Sequence, residues 1–235
     1  QGVIDRIGRW VDFKGAYRTM DKDFMESVWW AFKQLYEAGK IYEGEKVLMY
    51  DTKFATPVSK AEVTMDNDAY QTVTDPSVYV KFRLVGGEVI DDDIEGDEDV
   101  NILAWTTTPW TLPANLMLAV SPEMTYCEVL VGGEKLVIAE EALERVLQDD
   151  KHQPLDYQVL HRFSGGELVG RAYQPLDTGS TYPEDAKIHH IYPADFVTAE
   201  SGTGIVHIAP AYGEDDFELG KANGIAPFHV IDDDG

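Results

Sequence analysis

The sequence predicts a β-rich α+β body of barrel-like outline, mostly short strands with a few helices, preceded by a segment that is helical and then extended. Three observations carry this. Helical apolar spacing is sustained over only one long stretch; most of the rest is short apolar runs between turn residues; and no repeat or low-complexity linker interrupts the 235 residues. That length suits one large domain, or one domain with an appended piece.

The long helix is expected over residues 21–39, where Phe24, Val28, Phe32 and Leu35 share one face. Asp21 suits its N-cap and Gly39 its C-terminal stop. Trp29 and Trp30 thicken the apolar stripe, which reads as core or as a face for another domain. From Ile41 to Tyr70 short extended pieces follow, with turns at Thr56-Pro57 and Asp66-Asn67-Asp68. Residues 78–84 alternate as a half-buried strand. The acidic stretch 91–99 lacks calcium-loop spacing and reads as a solvated loop between two strands. Further strands are expected at 100–105, 125–131 and 135–139, then a helix over 140–147 with Leu143, Val146 and Leu147 inward. Short strands near 169–173, 187–192, 196–199 and 204–209 precede a last helix at about 215–222, stopped by Gly224.

Composition narrows the class. With 44% hydrophobic residues, 12 Tyr, 9 Phe and 5 Trp, the chain has ample core material and is not disordered. No apolar run approaches the roughly 20 residues that span a bilayer, and the first residues lack a secretory signal pattern, so a cytoplasmic protein is expected. The lone Cys127 can form neither an internal disulfide nor a thiolate zinc site, and reads as a buried structural thiol. The formal charge of -24, from 19 basic and 43 acidic residues, is the opposite of a nucleic-acid footprint. It fits a piece whose basic RNA-holding parts lie elsewhere, or an adaptation to a salty interior, where screening shortens to about 3 Å at 1 M salt.

Two segments do not look like scaffold. In the first, residues 105–115, Trp105 and three consecutive threonines, Thr106, Thr107 and Thr108, leave a strand and meet Pro109, which ends regular pairing. Hydroxyls and freed backbone N–H groups at such a turn can surround a polar ligand, although a threonine-rich strand end reads the same way. In the second, residues 202–218, a Gly-Thr-Gly turn leads through an apolar strand to His207, then through Pro-Ala-Tyr-Gly to a helix opening on acids. The macrodipole alone accounts for Glu214 and Asp215, and His207 by itself fits a hydrogen-bonded structural residue.

Together the two segments resemble the paired signature motifs of the editing insertion in the class I synthetases for isoleucine, valine and leucine. The form at 106–115, Thr-Thr-Thr-Pro-Trp-Thr-Leu-Pro-Ala-Asn, is isoleucyl. The other two families have Thr-Thr-Arg-Pro-Glu-Thr or Thr-Thr-Arg-Pro-Asp-Thr there, and usually Lys or Met at the place of His207. Flanking runs at 10–13, 25–30 and 75–78 resemble the isoleucyl enzyme too, so the likeness covers nearly the whole chain. The motifs of the synthetic site, of the His-Ile-Gly-His and Lys-Met-Ser-Lys-Ser types, do not occur. The stretch 50–57, which carries a cysteine pair in many relatives, has none here.

The resemblance implies a connecting segment over 1–70 that packs on a catalytic core lying outside this sequence, and an editing domain over 71–235. The starting pattern at Gln1 and the Asp-rich end point to a cut fragment. The implied reaction is hydrolysis of valine wrongly esterified to the 3′ end of the isoleucine tRNA. The implied partners are that tRNA end and the rest of the synthetase, with no membrane. Editing needs no cofactor or metal; ATP and Mg belong to the missing synthetic site. The implied roles place Asp216 on the α-ammonium of valine, with Asp215 the less favoured neighbour. Thr106, Thr107 and Thr108 position the ester, ribose or water, Trp105 and Asn115 contact the substrate, and His207 borders the side-chain pocket. No orienting partner for His207 is visible in sequence, Ser201 has no discernible role, and a metal site on adjacent His189 and His190 is awkward because neighbours on a strand face opposite ways.

Overall fold

The computed structural model describes residues 2–8, 15–64, 69–86 and 100–232. The expected turn at 66–68 and the acidic loop at 91–99 lie outside them. The chain divides into two compact units, Gln1–Glu45 and Lys46–Gly235. The division therefore falls before the expected boundary at residue 70, and the extended pieces after Glu45 belong with the larger unit.

The smaller unit holds α1 (Gly2–Arg6) and α2 (Lys22–Glu37). Asp21 takes the extended N-cap conformation without a side-chain cap bond, and Gly39 ends the helix at φ +67°. Two i,i+4 pairs, Lys22–Glu26 and Lys33–Glu37, brace its polar side by a few tenths of a kcal/mol each. The apolar stripe exists but is not core: Val28, Trp29, Trp30, Phe32 and Leu35 are all exposed.

The larger unit begins with a ribbon of β1 (Met49–Asp51) and β2 (Thr56–Val58). The turn between them is closed by Asp51 Oδ1, which accepts from the N–H groups of Lys53 and Phe54. Thr56 and Pro57 thus lie in the second strand and not in a turn, since proline is tolerated on a ribbon with a free edge.

Five strands make the main sheet: β3 (Val78–Arg83), β4 (Val100–Thr106), β6 (Thr125–Val131), β7 (Glu134–Ala139) and β8 (Tyr157–Ser164), in the order β3-β4-β7-β6-β8. Only the β4–β7 pair is parallel. The β6–β7 turn is Gly132-Gly133, both at positive φ, as a two-residue hairpin of this hand requires. A smaller sheet is ordered β10-β5-β9, from β5 (Met117–Val120), β9 (His190–Pro193) and β10 (Ile205–Ile208). β5 runs parallel to β9 and antiparallel to β10. The expected β-rich α+β body of short strands and few helices is what forms, as two mixed sheets that do not close into a barrel.

β5 is what joins the layers. Leu118 and Val120 enter the main core with Phe82, Ile102, Val137 and Ile205, while Met117 and Ala119 face a second cluster with Ile188, Val197 and Ile208. The expected helix at 140–147 resolves into a 3-10 turn at Glu140–Ala142 and α3 (Leu143–Val146). The last helix is α4 (Glu214–Ala222), followed by Gly224 at φ +67°. Neither 169–173 nor 196–199 forms a strand. Ala172 and Tyr173 supply single bridges, to His190 and Leu84, while Val197 and Ala199 are buried in irregular backbone. Cys127 is buried in β6, where burial raises its thiol pKa, in keeping with a structural thiol.

A Cβ on Gly165 would lie 2.1 Å from the Ser121 carbonyl oxygen and 2.7 Å from the Tyr126 ring. Gly165→Ala is therefore expected to destabilise the larger unit by about 1–3 kcal/mol or more, read as a lower urea midpoint with an unchanged slope.

Candidate functional site

A cavity of about 390 Å³ opens where the C-terminal end of β4 meets the 201–204 turn, β10 and the first turn of α4. Both segments singled out in the sequence line it. Trp105, Thr106, Thr107, Thr108 and Thr111 come from one, and the turn, His207 and Asp216 from the other.

The threonine wall is shaped by local hydrogen bonds. β4 ends at Thr106, whose Oγ1 accepts the Thr108 N–H at 3.0 Å and lies 3.2 Å from the Thr108 hydroxyl. Pro109 then opens a 3-10 turn over Pro109–Ala114. Thr111 is buried in this turn, and its hydroxyl donates to the Thr108 carbonyl at 2.8 Å. Thr106 is also buried, while Thr107 and Thr108 remain exposed at the mouth.

His207 has the orienting partners that the sequence did not reveal. Asn115 Nδ2 donates to the Met117 carbonyl, which can only accept, and this fixes the amide's orientation. The same Nδ2 lies 2.9 Å from His207 Nδ1, so Nδ1 accepts and the ring proton sits on Nε2. Nε2 then donates to Thr111 Oγ1 at 2.8 Å, which matches the use of the Thr111 proton on the Thr108 carbonyl. Tyr173, buried outside both motifs, closes the far end by donating to Asn115 Oδ1 at 2.6 Å. Burial pushes the His207 pKa down to about 4, so the ring is neutral at physiological pH with both nitrogens occupied. It borders the cavity as a fixed apolar edge.

Asp216 is the carboxylate in the cavity wall. Its Oδ2 accepts the Ala209 N–H at 2.8 Å. A Cβ on Gly213 would crowd the Asp216 carboxyl at 3.0 Å, so glycine there leaves room for it to turn inward. Burial, with the neighbouring Asp215 adding to it, raises the Asp216 pKa to about 6 against the opposing pull of the Ala209 N–H. A half-buried carboxylate that no cation faces among the described residues is short of a positive partner. Asp215 is exposed and outside the cavity wall.

Of the residues picked out in sequence, Trp105, Thr106, Thr107, Thr108, His207 and Asp216 come together here. Asn115 does not face the cavity; it holds His207 from behind. Sequence reasoning missed Thr111, although it lay inside the quoted run, and Tyr173, for which no local signal existed. Ser201, given no role, lies in the wall, as do Phe196, Thr198 and Tyr212. His189 and His190 stay apart: the His189 ring packs edge-on against Tyr173 and Tyr182, and His190 Nδ1 donates to the Ile188 carbonyl. Among the described residues no three His, Cys, Asp or Glu side chains converge as metal ligands, and no helix is long and apolar enough to cross a membrane.

Residues 1–200 match the family model for class I tRNA synthetases of the I, L, M and V group. The chain is similar over its whole length to isoleucine–tRNA ligase of Mycobacterium tuberculosis, at 44% identity and 22% of that protein. It is likewise similar to the enzyme of Chlamydia trachomatis, at 42% identity over 99% of this chain and 21% of that protein. It thus spans about a fifth of the length of these relatives. In fold it is similar to the editing domain of the cytosolic leucyl-tRNA synthetase of P. falciparum, with a TM-score of 0.50 and 15% identity, covering 63% of this chain and 66% of that one.

Proposed function

The chain belongs to the class I tRNA synthetases, and we propose that its cavity hydrolyses the ester joining valine to the 3′ end of the isoleucine tRNA. The observation that carries this reading is a single inward carboxylate facing a row of threonine hydroxyls, beside a rigid neutral histidine. Asp216 takes the α-ammonium of valine by a charge-assisted hydrogen bond. Thr106, Thr107 and Thr108 orient the ester, the terminal ribose and the attacking water. The water oxygen joins the acyl carbon, the acyl–oxygen bond breaks, and the proton passes to the departing ribose oxygen. His207 has no lone pair free to accept that proton, so it acts through shape and not as the base.

The need for such a site follows from size. One methylene is worth about 1–3 kcal/mol in an apolar pocket, a limit for which isoleucine against valine is itself the standard instance. A second cavity that admits valine and stops isoleucine multiplies the discrimination. Residues that carry synthesis with ATP and Mg, and that hold the tRNA body, belong in this reading to the rest of a longer cytoplasmic synthetase. The exposed apolar face of α2 suits packing against that remainder.

The test is deacylation of valyl- and isoleucyl-tRNA for isoleucine, side by side, across salt concentrations and with EDTA. Loss of valine but not isoleucine, unaffected by EDTA, is the expected result. Equal loss of both, or loss abolished by EDTA, would reject the reading.

A further inference from the structure

The 199–204 backbone is held from behind by donors that do not line the cavity. One guanidinium nitrogen of Arg145, Nη2, donates to the carbonyls of Ala199 and Gly202, each at 2.7 Å. The Ala139 N–H donates to the Thr203 carbonyl at 2.9 Å, and the Tyr126 hydroxyl to the Gly204 carbonyl at 2.7 Å. Three successive carbonyls are thereby turned away from the cavity that residues 202–204 line. Among the described residues no peptide bond is cis, and in a trans peptide the C=O and the N–H point in opposite directions. The N–H groups of Thr203 and Gly204 are therefore turned toward the cavity. Gly202 and Gly204 have left-handed φ of +67° and +75° on either side of Thr203, which does not. Such alternation turns successive N–H groups to one side and makes an anion-binding concavity. Among the described residues neither N–H is paired with an acceptor, whereas the next one, of Ile205, reaches Thr203 Oγ1.

We propose that the N–H groups of Thr203 and Gly204 form an oxyanion-binding pair in this cavity, with Arg145 and Tyr126 as positioning residues that hold the peptide planes. The proposal rests on the hydrolytic reading above. When the water oxygen joins the ester carbon, the carbonyl electron pair moves onto its oxygen, and two preorganised donors stabilise that charge until the bond to the ribose oxygen breaks.

The test uses the intact protein, with valyl-adenosine as minimal substrate and two non-reacting probes. A tetrahedral aminophosphonate analogue carries the oxyanion, whereas 3′-valylamino-3′-deoxyadenosine keeps a planar carbonyl. Replacing Gly204 by glycolate, which deletes its N–H and weakens the Thr203 carbonyl only as an acceptor for the Ala139 N–H, is expected to lower kcat by about 100- to 1,000-fold. Phosphonate affinity should fall in parallel, with KM and amide affinity unchanged. Arg145→Met, on an exposed side chain, is expected to show the same split to a smaller degree, near tenfold. A fall in kcat without a matching loss of phosphonate affinity would overturn the proposal, as would no change in either variant. Wild-type protein that leaves valyl-adenosine intact would instead overturn the hydrolytic reading itself.

Discussion

Asp216→Asn is expected to cut hydrolysis of the valyl ester by about 10- to 100-fold, chiefly through weaker substrate capture. A hydrogen bond between charged partners is worth about 1.5–3 kcal/mol, and the amide keeps the shape of the carboxylate while losing its charge. The same group sets the pH response. Asp216 ionises at about 6 and His207 only at about 4, so activity should fall as pH drops through 6, before the histidine charges. The sign for stability runs the other way. The folded carboxyl has its pKa raised above the ordinary 3.8, so folding disfavours the ionised form and the unliganded protein loses stability as pH rises from 3.8 to about 6. Asp216→Asn should therefore melt higher than wild type at pH 7.5 and almost equally near pH 3.8. A variant that loses activity yet gains stability is the signature of a carboxylate held for binding.

His207→Ala is expected to open the cavity to the larger ester. Removing the ring deletes the fixed edge beside the threonine row, and isoleucyl-tRNA should be deacylated about 10- to 100-fold faster, in line with the 1–3 kcal/mol that a methylene commands. Valyl hydrolysis should change much less, because Asp216 and the threonines remain. The variant also strips Asn115 Nδ2 of one acceptor and Thr111 of its donor, so it should lose about 1–3 kcal/mol of stability. Deacylation of both charged tRNAs, with the urea midpoint measured on the same samples, checks both parts. Unchanged isoleucyl protection would assign the size limit to other residues.

Much of this was legible in the chain because it is written locally. Alternation gave β3, and short apolar runs gave β4, β6 and β7 nearly to their ends. The Thr-Thr-Thr-Pro and Gly-Thr-Gly runs marked the two cavity walls, since breaking a strand with proline or glycine at a ligand-facing turn leaves a visible pattern. β5 was not legible, because a strand buried on both faces is a continuous apolar run without a period. β8 was missed for the opposite reason: seven of its eight residues pair with β6 across a bulge at an outer edge, and little of it is buried. The α2 stripe was correctly periodic but its periodicity does not say what covers it. The Tyr173–Asn115–His207–Thr111 chain was illegible because it joins residues as far as 96 apart through tertiary contact alone. The same holds for the clamp of Arg145 and Tyr126 behind the 199–204 turn.

The central claim is that this cavity takes a valyl ester by its ammonium and rejects the isoleucyl one. Calorimetric titration with 3′-valylamino-3′-deoxyadenosine and its isoleucyl counterpart, at pH 7.5 and on wild type and Asp216→Asn, tests it without the chemistry. The account predicts binding of the valyl compound to wild type, at least tenfold weaker binding of the isoleucyl compound, and a comparable loss for the valyl compound in the variant. Equal affinity for the two compounds, or valyl binding indifferent to Asp216, would contradict it.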